Sequence, residues 1–254
     1  MELSARVLDR AAAACRRQLG SPDLWPDSRE FSHSLALCVI DAVQATAGHY
    51  PTTVSITERY CAYRRSQGVH RLDDGVRALL RTFEEAGTSH AWAGKVATYK
   101  RRHESPAQRV KARSIGRAAD ALYSLRVDSI ADFTALYRHA ETRGLLVRAW
   151  RSVTSHGFAA NWDYLLTLTG LIRAESAWCL DNCTPFLREI LGMHDTAVDS
   201  TEISGVLDQI AGRLGVTSPD LILAMRRWSA GRRTLLEPVV AAIIAHDEAP
   251  IAIN

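Results

Sequence analysis

Apolar residues return every three or four positions through almost the whole chain and nowhere alternate, and that single period confines the fold to packed helices. Proline, glycine and capping residues cut the pattern into segments joined by short connections, so the chain is expected to be all-α. Ser105-Pro106 opens one helix, with Ile115, Ala118, Ala119 and Leu122 on one face, and Asp128 is placed to cap the next, over Ile130, Phe133, Leu136 and Tyr137. Asp199 and Glu202 resemble a capping box before Val206, Leu207, Ile210 and Leu214, and Ser218-Pro219 opens a helix carrying Ile222, Met225 and Trp228. Pro22 to Ser34 reads as an irregular lead-in, and the residues after Asp247 as a frayed end.

Length matters here because 254 residues are enough for one helical domain in two lobes around a cleft, with no linker or repeat to divide it. A composition of 47% hydrophobic and 23% charged residues excludes a disordered chain. No apolar run approaches the roughly 18 residues of a spanning helix, and Met1 to Gly20 carries charges where a signal peptide has an apolar stretch, so a cytoplasmic address without a membrane is expected. Cys15, Cys38, Cys61, Cys179 and Cys183 make neither an even disulfide framework nor paired CxxC motifs, which fits reduced thiols and no metal site. The net charge of +3 requires no polyanionic partner. Its distribution is more informative: Lys95, Lys100, Arg101, Arg102, Arg109, Lys111, Arg113 and Arg117 face a single acid, Glu104, in a basic stripe that is either a solvated helix face or a surface for a polyanion.

Phosphate-binding GxxxxGK loops, GxGxxG, GxSxG and HExxH are all missing from the chain. What stands out is the order of features from Thr154 to Leu187: a helix ending near Ser155, a tight turn at His156-Gly157-Phe158-Ala159, an aromatic-rich helix, then an isolated carboxylate, Asp181. Two helices joined by a glycine turn can offer the N–H groups of the second helix's first turn to a phosphate, with the helix dipole helping, and so grip a DNA backbone without reading its sequence. An ordinary helical hairpin has the same outline.

The run Ser155-His-Gly-Phe-Ala-Ala-Asn-Trp-Asp-Tyr-Leu-Leu-Thr-Leu-Thr-Gly170 resembles the hairpin and second helix of the helix-hairpin-helix DNA glycosylases, and Leu180-Asp181 falls where that superfamily carries its catalytic Asp. Independently, Leu37-Cys-Val-Ile-Asp-Ala-Val-Gln-Ala-Thr46 is similar to the early helix of endonuclease III-like members, in which Ala-Gln-Ala-Thr leads to the DNA-facing surface. Thr57-Glu-Arg-Tyr60, Trp92-Ala93, Lys111-Ala112 and Leu214-Gly-Val-Thr-Ser-Pro219 before Trp228 extend the resemblance over residues 33 to 230. It implies an all-α, two-lobed glycosylase-like domain over residues 1–254 with a central DNA-facing cleft. The N-terminal segment 1–32 and the C-terminal helices are expected to pack as one lobe and residues from about 50 to 150 as the other.

Departures from the family pattern shape the functional expectation. Ala159 stands at the hairpin's second glycine, where it restricts positive φ. Asn161 stands where bifunctional members carry a Schiff-base lysine, which implies a monofunctional enzyme that leaves an abasic site without cutting the strand. The four-cysteine iron-sulfur loop of endonuclease III is missing, and the chemistry needs no cofactor. Hydrolysis of an N-glycosidic bond develops oxocarbenium character at the sugar, which a carboxylate stabilises while it orients water; the resemblance assigns that role to Asp181. An alignment without an insertion after Gly170 puts Ala177 in the slot and leaves Glu175 nearby, and Asp181 also suits a plain helix cap before Phe186, Leu187, Ile190 and Leu191.

The target base must leave the stack, and Gln44 resembles the residue that fills the gap, although an exposed polar side chain at a helix end is an equal reading. Gln44, Lys111, His156, Gly157, Phe158, Ala159 and Asn161 are the expected DNA contacts. Trp92, Tyr99, Trp162 and Tyr164 are candidates for a base pocket, although at helical spacing most such aromatics pack between helices. The expected partner is double-stranded DNA, bound by a monomer. A damaged or alkylated base is the default substrate, and hypermodified, glucosylated cytosine in phage DNA a serious alternative that would make the protein a defence factor. A helix-hairpin-helix DNA-binding protein without catalysis is the competing reading, and a helical protein-interaction module a third.

Overall fold

The computed structural model describes residues 2–25, 31, 33–45, 50–98, 106–153, 158–173, 177–192 and 200–229, and all regular structure among them is helical. The first half runs through α1 (Ala5–Leu19), a 3-10 turn (Pro22–Leu24), α2 (Leu35–Gln44), α3 (Tyr50–Ser66), α4 (Val76–Ala86) and a short α5 (Ser89–Trp92) that widens into a π-helical segment, Ala93–Thr98. It continues through α6 (Pro106–Ser124), α7 (Ile130–Arg138), α8 (Ala140–Val153), α9 (Phe158–Leu168), α10 (Ala177–Leu191), α11 (Ser200–Leu214) and a last helix, α12, over 218–229. The helical period of the sequence is thus realised as an all-α chain.

Every residue of α2 is buried. Leu-Ala-Leu-Cys-Val-Ile-Asp-Ala-Val-Gln is apolar on all faces except at Asp41 and Gln44, and a helix with no solvent face is stable only inside a shell of others. That shell is α3, α4, α6 and α9. The entry to α2 is fixed by Ser34, whose hydroxyl accepts from the Leu37 N–H and donates to the Asp74 carbonyl at 2.9 Å. Asp74 is itself held by the Tyr60 hydroxyl at 2.9 Å and the Arg64 guanidinium at 2.7 Å, so the loop before α4 and the helix α3 set the register of α2 together.

Buried apolar side chains form two clusters. The larger gathers α2 to α9, with Leu37, Ile40, Leu79, Ile115, Phe133 and Tyr164 among its members. The second joins α1 to α10 and α11 through Ala11, Cys15, Leu180, Phe186, Leu207 and Ile210. α12 belongs to both, since Leu223 lies in the first cluster and Leu221, Ile222, Ala224 and Met225 lie in the second.

The helix starts depart from expectation in instructive ways. α7 is capped by Ser129, one residue later than expected, in a full capping box with Asp132. Asp128 caps a different helix: its carboxylate accepts from the Arg77 N–H at 2.7 Å and its carbonyl from the Val76 N–H at 2.9 Å, closing the first turn of α4. Gly75 is required there, because a Cβ would lie 2.4 Å from the Asp128 carbonyl oxygen. At α12 the cap is Thr217, which accepts from the Asp220 N–H, while Ser218 reaches across to the Asp208 carboxylate of α11. Asp199 and Ser105 lie outside the described residues.

Candidate functional site

α8 ends at Val153 and α9 begins at Phe158, so the expected helical pair is joined by a connection over 154–157. His156 and Gly157 fall within 154–157, outside the described residues, and Tyr99 and Glu175 also lie outside them. Phe158 and Ala159 form the first turn of α9, with side chains outside the described set. The far end of α9 is closed by Gly170, at φ 74°, and by a hydrogen bond from the Ile172 N–H back to the Leu166 carbonyl at 3.1 Å. Asp181 follows in α10, its side chain also outside the described set. Because α10 starts at Ala177, a full turn earlier, Asp181 is not the residue that caps this helix, and the cap reading is withdrawn.

A buried polar assembly lies where α2, α9 and α12 meet. Asp41 of α2 and Arg227 of α12 are buried, and the guanidinium grips the carboxylate with both Nε, at 3.0 Å, and a terminal nitrogen. Tyr164 of α9, wholly buried, donates its hydroxyl to the same carboxylate at 2.5 Å. Burial, reinforced by the Asp41 charge, pushes the Tyr164 hydroxyl well above its ordinary range, so it remains a donor at any physiological pH. A fork-shaped donor satisfying two carboxylate oxygens is the geometry that makes a buried ion pair tolerable, and breaking one side of such a pair costs about 3–5 kcal/mol. The sequence reading missed this centre. Its signal was a lone Asp inside an otherwise apolar helix and an Arg pair following Leu-Ile-Leu-Ala-Met, both of which imply a buried partner.

One turn beyond this contact on each helix stands a carboxamide. Gln44, expected as an exposed side chain or a gap filler at a helix end, is buried in the last turn of α2, and its Oε1 has no hydrogen-bond partner among the described residues. Asn161, in the second turn of α9, is 0% exposed, and neither its oxygen nor its nitrogen has such a partner. Buried unsatisfied polar groups cost about 1–3 kcal/mol each, so side chains left in that condition call for an explanation.

Lys111 of α6 lies over the end of α2. Its ammonium donates to the Gln44 carbonyl at 3.3 Å, at the electronegative end of the helix. Burial lowers the Lys111 amine to about 8, with no carboxylate contributing to hold its charge.

The remaining aromatic candidates have structural work. Trp92 is buried, stacked on Phe83 with centroids 4.3 Å apart, and its indole N–H is donated to Thr82 at 2.8 Å. Trp162 packs between Phe133 and Tyr137. Of the residues singled out in the sequence, the structure therefore joins Gln44 to Lys111 and ties Tyr164 to α2, while Trp92 and Trp162 serve the first core. Cys15, Cys38, Cys61 and Cys183 are buried thiols, and burial raises Cys15 to about 12. Among the described residues no three His, Cys, Asp or Glu side chains gather as a metal site, and no helix is long and apolar enough to cross a membrane.

The fold and this junction define an all-helical domain built on a buried central helix with a polar centre at its end. The chain belongs to the family described as Domain of unknown function (DUF8548), whose model matches residues 9–231. That span takes in both apolar clusters and the whole α2–α9–α12 junction. No curated protein and no solved structure matches the chain.

Proposed function

We propose that the protein is a monofunctional DNA glycosylase that binds duplex DNA through the α8–α9 pair, receives an extruded base, and hydrolyses its N-glycosidic bond with Asp181 as the stabilising carboxylate. The observation that carries the reading is the succession of α8, a short connection containing Gly157, α9, and α10 with Asp181 in its second turn, read with the resemblance of those residues to helix-hairpin-helix glycosylases. N–H groups at the start of α9 would hold a phosphate, and Lys111 would add charge to the same surface. Asp181 would stabilise the oxocarbenium-like sugar and orient the attacking water, leaving an abasic site. Asn161 in place of an amine supports hydrolysis without strand cleavage. The protein would act as a monomer on a damaged or alkylated base, with glucosylated cytosine in phage DNA the alternative that its departure from the housekeeping pattern favours.

The test is incubation of duplexes carrying damaged, alkylated or glucosylated bases, followed by alkali. The reading predicts strand breaks only after alkali. Breaks without alkali would contradict the monofunctional assignment and direct attention to the Lys111 amine. A phage-plating assay tests the defensive role: unchanged plating of phages with modified DNA counts against it. Ala159 and Asn161 favour a second reading, a DNA-binding protein without catalysis, which predicts salt-dependent duplex affinity and no base release.

A further inference from the structure

We infer that the outward face of the α6–α8 pair, carrying Arg113, Arg117 and Arg148, is a clamp for the phosphodiester backbone of duplex DNA. This rests on the glycosylase reading only in taking DNA to be the polyanion. α6 turns Ala112, Ile115, Ala118, Ala119 and Leu122 to the core, which leaves Arg113 and Arg117, four residues apart, on its exposed side. α8 buries Leu146 and Trp150 and exposes Arg148 and Ser152, again four residues apart. The two helices pack together, and one contact sets their exposed sides next to each other: the Arg117 guanidinium donates to the Ser152 carbonyl at 3.3 Å, in the last turn of α8. Arg113 and Arg148 each stand one turn, about 6 Å of helix, from that contact.

Arg117 has a structural reason for its place, since a cation suits the carbonyl end of a helix. Arg113 and Arg148 lack one: among the described residues neither has an ion-pair or hydrogen-bond partner. Gly144 leaves Arg148 uncovered, with a guanidinium nitrogen 3.7 Å from where a Cβ would stand. Arg113 and Arg117 repel one another at the spacing where opposite charges on a helix attract. The described acids on these exposed sides stand apart from them, Asp120 one turn beyond Arg117 and Glu141 two turns before Arg148. Exposed guanidiniums gathered without carboxylates suit a partner that brings the anions itself, and their flat forks match phosphate oxygens. A single strand would need an aromatic platform, and the exposed ring of α6, Tyr123, lies about 100° round the helix from the arginine row. A membrane would need an apolar face, and the exposed apolar side chain of α8 is Leu145 alone. Phosphate contacts carry no sequence information, so this face would position a duplex without choosing the base.

The test uses the full chain and fluorescence anisotropy with an unmodified duplex over a range of salt. Each phosphate contact adds about 0.9 to the slope of log affinity against log salt, so Arg113→Gln with Arg148→Gln should lower the slope by about 1.8. The loss of affinity between about 50 and 200 mM salt then shrinks about twelvefold. Arg6→Gln with Arg10→Gln is the control: both are exposed on α1, at the same spacing and with the same charge removed, and the slope should not change. An equal change in both double variants, which would be a net-charge effect, or no change in the first, overturns the inference. Should the first double variant fail to fold, each single variant should lower the slope by about 0.9, and Arg113→Lys with Arg148→Lys should restore it. Tighter binding to phosphatidylserine vesicles than to the duplex at equal salt, lost in the same variant, would also overturn the inference and assign the face to a membrane. Failure here is separable from failure of the glycosylase reading. Base release with unchanged rate and salt dependence in Arg113→Gln with Arg148→Gln sinks the clamp alone, whereas the expected slopes without base release from any DNA uphold it and favour the non-catalytic reading.

Discussion

The two apolar clusters are built on different terms. In the first, α2 to α9 enclose Asp41, Gln44, Asp74, Thr82 and Asn161 as buried polar side chains, and α12 contributes Arg227. In the second, no described polar residue of α1, α10 or α11 is buried as a whole, although the Gln18 Oε1 and Arg188 Nε atoms are out of water; polar links of these helices lie at the rim, as between Arg213 and Asp9 or Gln18 and Glu189. A cluster with apolar content alone holds helices together without dictating more than shape. One that buries two carboxylates, two amides and a guanidinium commits its helices to one register, and it places groups that can do chemistry where water is scarce. The polar junction therefore belongs to the first cluster, and α12, with side chains in both, joins it to the second.

The contrast can be broken most severely at Asp41. Replacing it with Ala strands the Arg227 guanidinium and the Tyr164 hydroxyl, and we expect a loss of about 3–5 kcal/mol in a urea melt. A double variant, Asp41→Leu with Arg227→Met, should recover most of that loss; no recovery would mean that the pair does more than hold register.

Gly75→Ala comes next. Its Cβ would meet the Asp128 carbonyl at 2.4 Å, in backbone that cannot yield without opening the α4 cap, so a loss of about 1–3 kcal/mol is expected from thermal unfolding. In the second cluster the matching polar deletion is slight. Asp9 and Arg213 are more than half exposed, and Asp9→Ala should change stability by less than about 1 kcal/mol. A loss as large as that at Asp41 would erase the distinction between the clusters.

The smallest expected effect is a slope. Burial lowers Lys111 from an ordinary 10.5 to about 8, so between these values the unfolded chain binds more protons than the folded one, and stability rises with pH through that window. Below it both states are protonated and the cost of burying the charge is felt in full. The stability of the wild type relative to Lys111→Met should therefore increase from pH 8 to 10.5 and be flat below pH 7. A falling difference would show that Lys111 gains a partner on folding.

Much of the architecture was legible because a period of three to four residues is a property of the chain itself. The faces read for Ile115, Ala118, Ala119 and Leu122, and for Ile222 and Met225, are buried in α6 and α12. Caps were less legible, since capping is decided by which N–H groups a side chain meets in three dimensions. Asp128 has the right chemistry to cap α7, but the neighbouring α4 claims it, and Ser129 takes its place. The polar junction was the least legible. Gln44 reads as a surface side chain at a helix end because nothing local shows that α6 and its Lys111 lie across that end. Tyr164 reads as a ring for stacking because its partners, Asp41 and Arg227, are far away in sequence. Long-range pairing hides from periodicity, and only the presence of charge within apolar helices hinted at it.

Mass spectrometry of the free bases released from genomic DNA and from phage DNA containing glucosylated cytosine, run side by side on the wild type and Asp181→Asn, decides whether Asp181 carries base excision. A released base is expected from at least one of these DNAs with the wild type, and none with the variant while its duplex affinity is retained. Release at the same rate by Asp181→Asn, or no released base from any DNA with the wild type, would contradict it.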